Sequence, residues 1–315
     1  MPSHPHRTAL LQTHFCVLLW GFTAIFGKLI TLPALPLVWW RMLIVVAVLA
    51  LLPRVWRGLR AMPTRHLRAY AGIGALVGLH WLTFYASIKL ANASVGATCM
   101  ALATAFIAVV EPWLARRPFS WRELLLGVAL LPGVALVVGG VPHDMRAGVA
   151  VGALSAFFVS IFASLNKRMA GRDDPLAVTG IELGAGVLLL TVLAPLVPHV
   201  FPALANHAFV LPETRDALYL LALALLCTLL PFTLSLVALR RLSAYTVQLA
   251  INLEPVYAIV LAILLLGEQR ELTGLFYAGV AIILSAVFLQ PLLQRPKEMR
   301  HAEMLGTSES KNVAE

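Results

Sequence analysis

Two ionisable residues stand alone in long apolar surroundings, and any chemistry in this chain would start from them. Glu254 lies in Asn252-Leu253-Glu254-Pro255-Val256-Tyr257, and His80 lies in Gly78-Leu79-His80-Trp81-Leu82-Thr83-Phe84. If the flanking runs cross a bilayer, both sit near its middle, where an ionised group costs a few kcal/mol or more. A carboxyl at that depth would exchange a proton between the two sides or pair with the ammonium of an amino-acid-like substrate. The structural alternative is a Glu bonded to a neighbouring helix beside a Pro255 kink, where proline frees a backbone carbonyl. An imidazole titrates near neutral pH and suits a substrate donor or a proton relay, although a lone helical His also serves as a packed, satisfied residue.

Helical spacing places Phe84 and Ser87 on the face of His80, with Trp81 and Tyr85 on the adjacent stripe as amphipathic walls. Gln248 and Asn252, four apart on the same run as Glu254, form a polar stripe, and Ser155, Phe158, Phe162 and Ser164 give another run a mixed polar and aromatic face. Trp20 is the other tryptophan left at depth. The expected substrate-binding or coupling set is thus Trp20, His80, Trp81, Phe84, Tyr85, Phe158, Gln248, Asn252 and Glu254, against the competing use of such residues as interhelical packing and hydrogen bonding. Arg41, Glu111 and Glu182 read as helix-end groups that snorkel or form interface salt bridges. Glu268, Arg270 and Glu271 read as a solvated loop. Cys16, Cys99 and Cys227 are isolated in apolar runs, without CxxC spacing or a His cluster, and read as small buried hydrophobes.

An enzyme would need clustered acids, bases or metal ligands. No HExxH, GxSxG or Walker A pattern occurs, so no metal, cofactor or nucleotide is expected. An integral membrane enzyme acting on a lipid or lipid-linked substrate is the competing class.

The elements that must position these residues follow from composition. Hydrophobic residues make up 60% of the 315, charged residues only 12%, and the mean hydropathy is +0.86; soluble domains carry roughly 25% charged residues. Apolar runs predict helices over residues 14–30, 37–52, 70–89, 94–114 and 124–141, then 147–165, 176–197, 217–239, 244–266 and 272–293. The expectation is an all-α integral membrane protein of about ten spans. The first run, retained, is a helix rather than a signal peptide. The net charge of +9 lies in short loops and not on a basic face interleaved with aromatics, which argues against a nucleic-acid partner. With the amino terminus in the cytoplasm, eighteen of the 24 lysines and arginines fall on that side, so both termini are expected inside, in a plasma membrane of bacterial inner-membrane type. Trp39 and Trp40 then mark the outer interface, and Trp56, Trp113 and Trp121 the inner one. Residues 295–315 are expected to be a disordered cytoplasmic tail.

At an offset of 149, Tyr70 aligns with Tyr219, Ala75 with Ala224, Leu76 with Leu225, Leu90 with Leu239, Ser94 with Ser243 and Ala101 with Ala250, without a gap. Two repeats result, 1–142 and 143–294. Five spans in each force the second copy to enter from the opposite face, and inverted repeats place substrate near the midplane between halves. Trp20-Gly21, Pro36 with Arg41, the segment from Gly78 to Phe84, Ala86 and Ser87, the segment from Asn252 to Tyr257, and Gly267-Glu268 occur in the order seen in a known family. On these features the chain resembles the EamA-like branch of the drug/metabolite transporter superfamily. That resemblance implies a ten-helix exporter of amino acids, other metabolites or drug-like compounds, commonly without ATP, with a small-molecule substrate, lipid around it and either a monomeric or a homodimeric state. One departure is visible: the first repeat has Pro118-Phe119 where the second has Gly267-Glu268.

Overall fold

The computed structural model describes residues 4–114, 118–169, 171–204, 209–231, 234, 251 and 253–293. Regular structure among them is entirely helical. In chain order the helices are α1 (His4–Leu29), α2 (Ala34–Ala50), α3 (Pro53–Ala61), α4 (Thr64–Leu90), α5 (Ala93–Met100), α6 (Ala103–Leu114), α7 (Trp121–Ala129) and α8 (Leu131–Gly140). They continue as α9 (Arg146–Met169), α10 (Pro175–Leu193), α11 (Val197–Val200), α12 (Thr214–Ala224), α13 (Glu254–Leu266) and α14 (Gly274–Leu293).

Local chemistry explains the boundaries. Pro33, Pro53 and Pro63 stand at or just before helix starts, where the missing N–H costs nothing. The Asn92 side chain accepts from Val95 N and starts α5, and Asp174 accepts from the amides of Leu176 and Ala177 to start α10. Gly267, at φ +70°, ends α13 in the left-handed conformation that a side chain disfavours.

Several runs expected to be straight are broken. The second forms α2 and is followed, in an expected loop, by α3 turned 89° from it, and the third begins at Thr64, since Pro63 sets the start earlier than hydropathy suggests. The fourth breaks between α5 and α6, and the fifth at Leu130. α12 widens into a π-helical turn, Leu225–Leu229, where the Thr228 hydroxyl donates to Leu223 O five residues back. The end of the eighth expected helix and the start of the ninth, the tail from 294, and both Gln248 and Asn252 lie outside the described residues.

Among the described residues, five helical segments are long and apolar enough to cross a membrane, six if the bent pair α2–α3 is one span. Large apolar side chains such as Leu188, Val192 and Leu264 point outward, as a surface bathed in lipid requires. The interior joins both repeats: Met42, Tyr85 and Ile88 are fully buried with Leu183, Leu190, Leu220 and Leu223. α4 runs between α9 and α10, α1 packs on α13, α5 touches α9 and α13, and α8 packs on α14. With no water-driven force between helices inside lipid, such contacts depend on close backbone approach at small residues. Gly74 is the tightest case, since a Cβ there would stand 2.1 Å from Glu182 O.

Candidate functional site

The site is organised by Arg41. Because α2 begins at Ala34, Arg41 lies about two turns inside the helix, too deep for its guanidinium to reach water. It is 3% exposed and solvates its charge internally. One guanidinium nitrogen donates to Tyr85 Oη at 2.7 Å, and Nε donates to Thr228 Oγ1 at 2.9 Å. The guanidinium also lies 4.0 Å from the Trp81 ring centroid and 5.6 Å from that of Tyr85, a cation–π arrangement that gains strength where water is excluded. Thr228 reaches Arg41 from the π-turn. Glu254, at the first position of α13, lies within electrostatic reach of both Arg41 and Tyr85. A buried cation and a partly exposed carboxyl, one from each repeat, thus lie within electrostatic reach of each other. Arg41 is therefore a core residue and not the snorkelling helix-end group expected from the sequence.

His80 faces the other way, toward α9. Its Nδ1 lies 3.0 Å from the Ser155 carbonyl oxygen and 2.8 Å from Ser155 Oγ, and Ser155 Oγ donates to His80 O at 2.8 Å. A carbonyl only accepts, so Nδ1 carries the proton and Nε2 keeps its lone pair for another partner. Phe84 and Phe162 flank the ring, at centroid distances of 6.2 and 5.4 Å. The two stripes of α4 divide accordingly: His80, with Phe84 beside its ring, meets α9, while Trp81 and Tyr85 meet Arg41.

Two further readings change. Glu268, expected in solvated loop, is 1% exposed: past the Gly267 turn its carboxylate accepts from the amides of Ala93 at 2.9 Å and Ser94 at 2.8 Å, closing the start of α5. Its neighbour Glu271 is exposed and accepts from Asn92 Nδ2 at 3.0 Å. Glu182 is buried against Gly74 and accepts from Asn166 Nδ2 at 3.3 Å, because the close crossing of α4 and α10 seals it from the interface. Pro255 occupies the first turn of α13, where it needs no donor, and not a kink in a helix interior. Glu111 pairs with Lys167, joining α6 to α9 as an interface salt bridge. No cluster of three metal-ligating side chains occurs among the described residues.

The sequence profile of the EamA-like transporter family matches residues 8–139 and again 146–290, two copies that together span most of the chain. The chain belongs to the EamA-like transporter family. It is therefore a multi-pass membrane transporter of the drug/metabolite type. No curated relative matches it at a significant level. Fourteen solved chains do. One of them, described only as the crystal structure of a protein, aligns at a TM-score of 0.58 and 19% identity over 91% of this chain and 97% of its own, which establishes a shared fold and nothing more.

Within this EamA-like transporter the other expected residues are dispersed. Trp20 is half-buried next to Gly21, where α1 meets Tyr257 and Ala258 of α13. Phe158 is also half-buried, and its ring neighbour is Phe157 at 6.5 Å; Phe162, one turn on, is the aromatic that reaches His80. Trp39 and Trp40 bond Thr191 Oγ1 and Val210 O, tying α2 to its neighbours. Sequence reasoning missed the partnership of Arg41 with Thr228. The available signal was a charge inside an apolar helix, which the tryptophans beside it made easy to read as an interfacial anchor.

Proposed function

We propose that this transporter is a secondary exporter of amino acids or related small metabolites, working by alternating access in a plasma membrane. Ten spans form two inverted five-helix repeats, with both termini in the cytoplasm. The packing supports that arrangement. Exchanging each segment with its counterpart in the other repeat maps the α2–α10 and α8–α14 contacts onto themselves. It also maps α6–α9 onto α13–α1, α4–α9 onto α12–α1, and α4–α10 onto α12–α2, and every one of these contacts is present. A pseudo-two-fold relation of this kind supplies two packings of similar energy, one open to each side.

The observation that carries the substrate class is the buried Arg41 with Glu254 in reach. An amino acid presents a carboxylate and an ammonium, and a guanidinium and a carboxyl on opposite repeats complement both ends. Trp81 and Tyr85 add a wall that tolerates varied side chains. The test is flux in proteoliposomes loaded with a panel of amino acids, with and without a pH gradient. Wild type is expected to move at least one of them, and Glu254→Gln to lose flux on the order of tenfold, as for one charge-assisted contact of about 1.5–3 kcal/mol. Unchanged flux in Glu254→Gln would remove that residue from binding and coupling.

A further inference from the structure

One face of the molecule carries arginines whose acidic neighbours are already engaged. α3 is held against the start of α10. Val55 is buried and meets Gly180, Gly58 allows approach to Ala177, where a Cβ would stand 2.7 Å from the alanine methyl, and Arg54 pairs with Asp174 at 2.9 Å. Trp56 Nε1 donates to Ala50 O at 2.7 Å, folding the indole back over the end of α2. With Val55, Gly58 and Leu59 turned inward, helical spacing directs Arg57 and Arg60 outward, and both are exposed. At the start of α4, His66 and Tyr70 turn to Asp173, which leaves Arg65 and Arg68 exposed on the other side. Among the described residues, none of these four arginines has an ion pair or a hydrogen bond. Asp173 and Asp174, which start α10 beside α3 and α4, are committed to His66, Tyr70, Arg54 and the α10 amides.

We propose that α3 and the first turns of α4 form a docking surface for the headgroups of anionic phospholipid. The proposal rests on the membrane reading above, in which α2 stands across the bilayer. The 89° turn then lays α3 in the plane of the interface. Leu52 and Trp56, both substantially exposed, enter the acyl boundary, while the arginines meet phosphate at headgroup height. Guanidinium forks engage a phosphodiester through paired, charge-assisted hydrogen bonds. An uncharged surface of choline headgroups offers the same phosphate without net attraction, so the surface discriminates by net lipid charge.

The experiment titrates the purified full-length protein in detergent with phosphatidylglycerol or phosphatidylcholine and counts bound lipids by native mass spectrometry. Wild type is expected to bind phosphatidylglycerol more tightly than phosphatidylcholine, with a preference that shrinks as salt rises. Arg57→Gln/Arg60→Gln is expected to weaken phosphatidylglycerol binding about fivefold per arginine, the fold-change that follows from about 1 kcal/mol per basic residue near an anionic surface. The charge-matched variant Arg146→Gln/Arg215→Gln, exposed at other helix starts, is expected to bind as wild type does. Equal affinity for the two lipids, or equal weakening by both double variants, would overturn the docking surface. Labelling of Arg60→Cys by an impermeant maleimide in intact cells would overturn the topology instead, a failure that the lipid titration reports separately.

Discussion

Glu268→Gln isolates one contact between the repeats whose strength can be worked from geometry. The carboxylate is 1% exposed and accepts two backbone hydrogen bonds, at 2.9 and 2.8 Å, from the first amides of α5. Glutamine is nearly isosteric and keeps one acceptor, but its NH2 must face the other amide and leave that donor buried without a partner, at a cost of about 1–3 kcal/mol. Loss of the negative charge from a helix N-terminus adds about 0.3–1 kcal/mol. The two together amount to roughly 1–4 kcal/mol, a fall of a few degrees in the unfolding midpoint. The three cysteines, all free and buried, supply the assay: a thiol-reactive fluorogenic dye stays dark until unfolding exposes Cys16, Cys99 or Cys227. Glu271→Gln is the control. Its carboxylate sits three residues on, exposed, with a side-chain amide as partner, and its loss is expected to stay within about 0.5 kcal/mol. A Glu268→Gln protein that melts with wild type, or a Glu271→Gln protein that melts as early as Glu268→Gln, would refute the reasoning. The first repeat has Phe119 at the equivalent position, so it has no carboxylate there to close the second repeat in the same way.

The same melting assay checks two more expectations. Gly74→Ala drives a methyl to 2.1 Å from Glu182 O, backbone that cannot turn aside, and is expected to cost about 1–3 kcal/mol or more as α4 and α10 are forced apart. Gly72→Ala meets nothing within 4 Å and is expected to be neutral or slightly stabilising through helix propensity. Ser155→Ala removes the hydroxyl that bridges His80 O and Nδ1 but leaves the carbonyl contact, so a loss near 1 kcal/mol is expected. No measurable change in Ser155→Ala would mean that the carbonyl alone positions the ring.

Which parts of this protein were legible beforehand follows from how local each cause is. Solvent preference is a property of short windows, so apolar runs and scarce charge announced helices in a bilayer, and the self-alignment at 149 together with Gly78 to Phe84 and Asn252 to Tyr257 announced the family. Capping and breaking chemistry is also local, yet hydropathy does not report it: the proline before α4 starts a helix inside a charged stretch, and the hydroxyl of Thr228 in the π-turn acts beneath an apolar signal. What a charge touches is not local at all. Arg41 and Glu268 both looked peripheral because each lies near the end of its own apolar run. Their burial depends on Tyr85 and Thr228, 44 and 187 residues away from Arg41, and on the amides of Ala93 and Ser94, 175 and 174 residues away from Glu268. The sequence by itself determined the solvent, the repeat and the stripes that each helix offers. Only tertiary packing decided which stripes meet, because a buried charge is tolerated solely where other segments deliver partners at hydrogen-bond distance, and no window of a single chain contains that information.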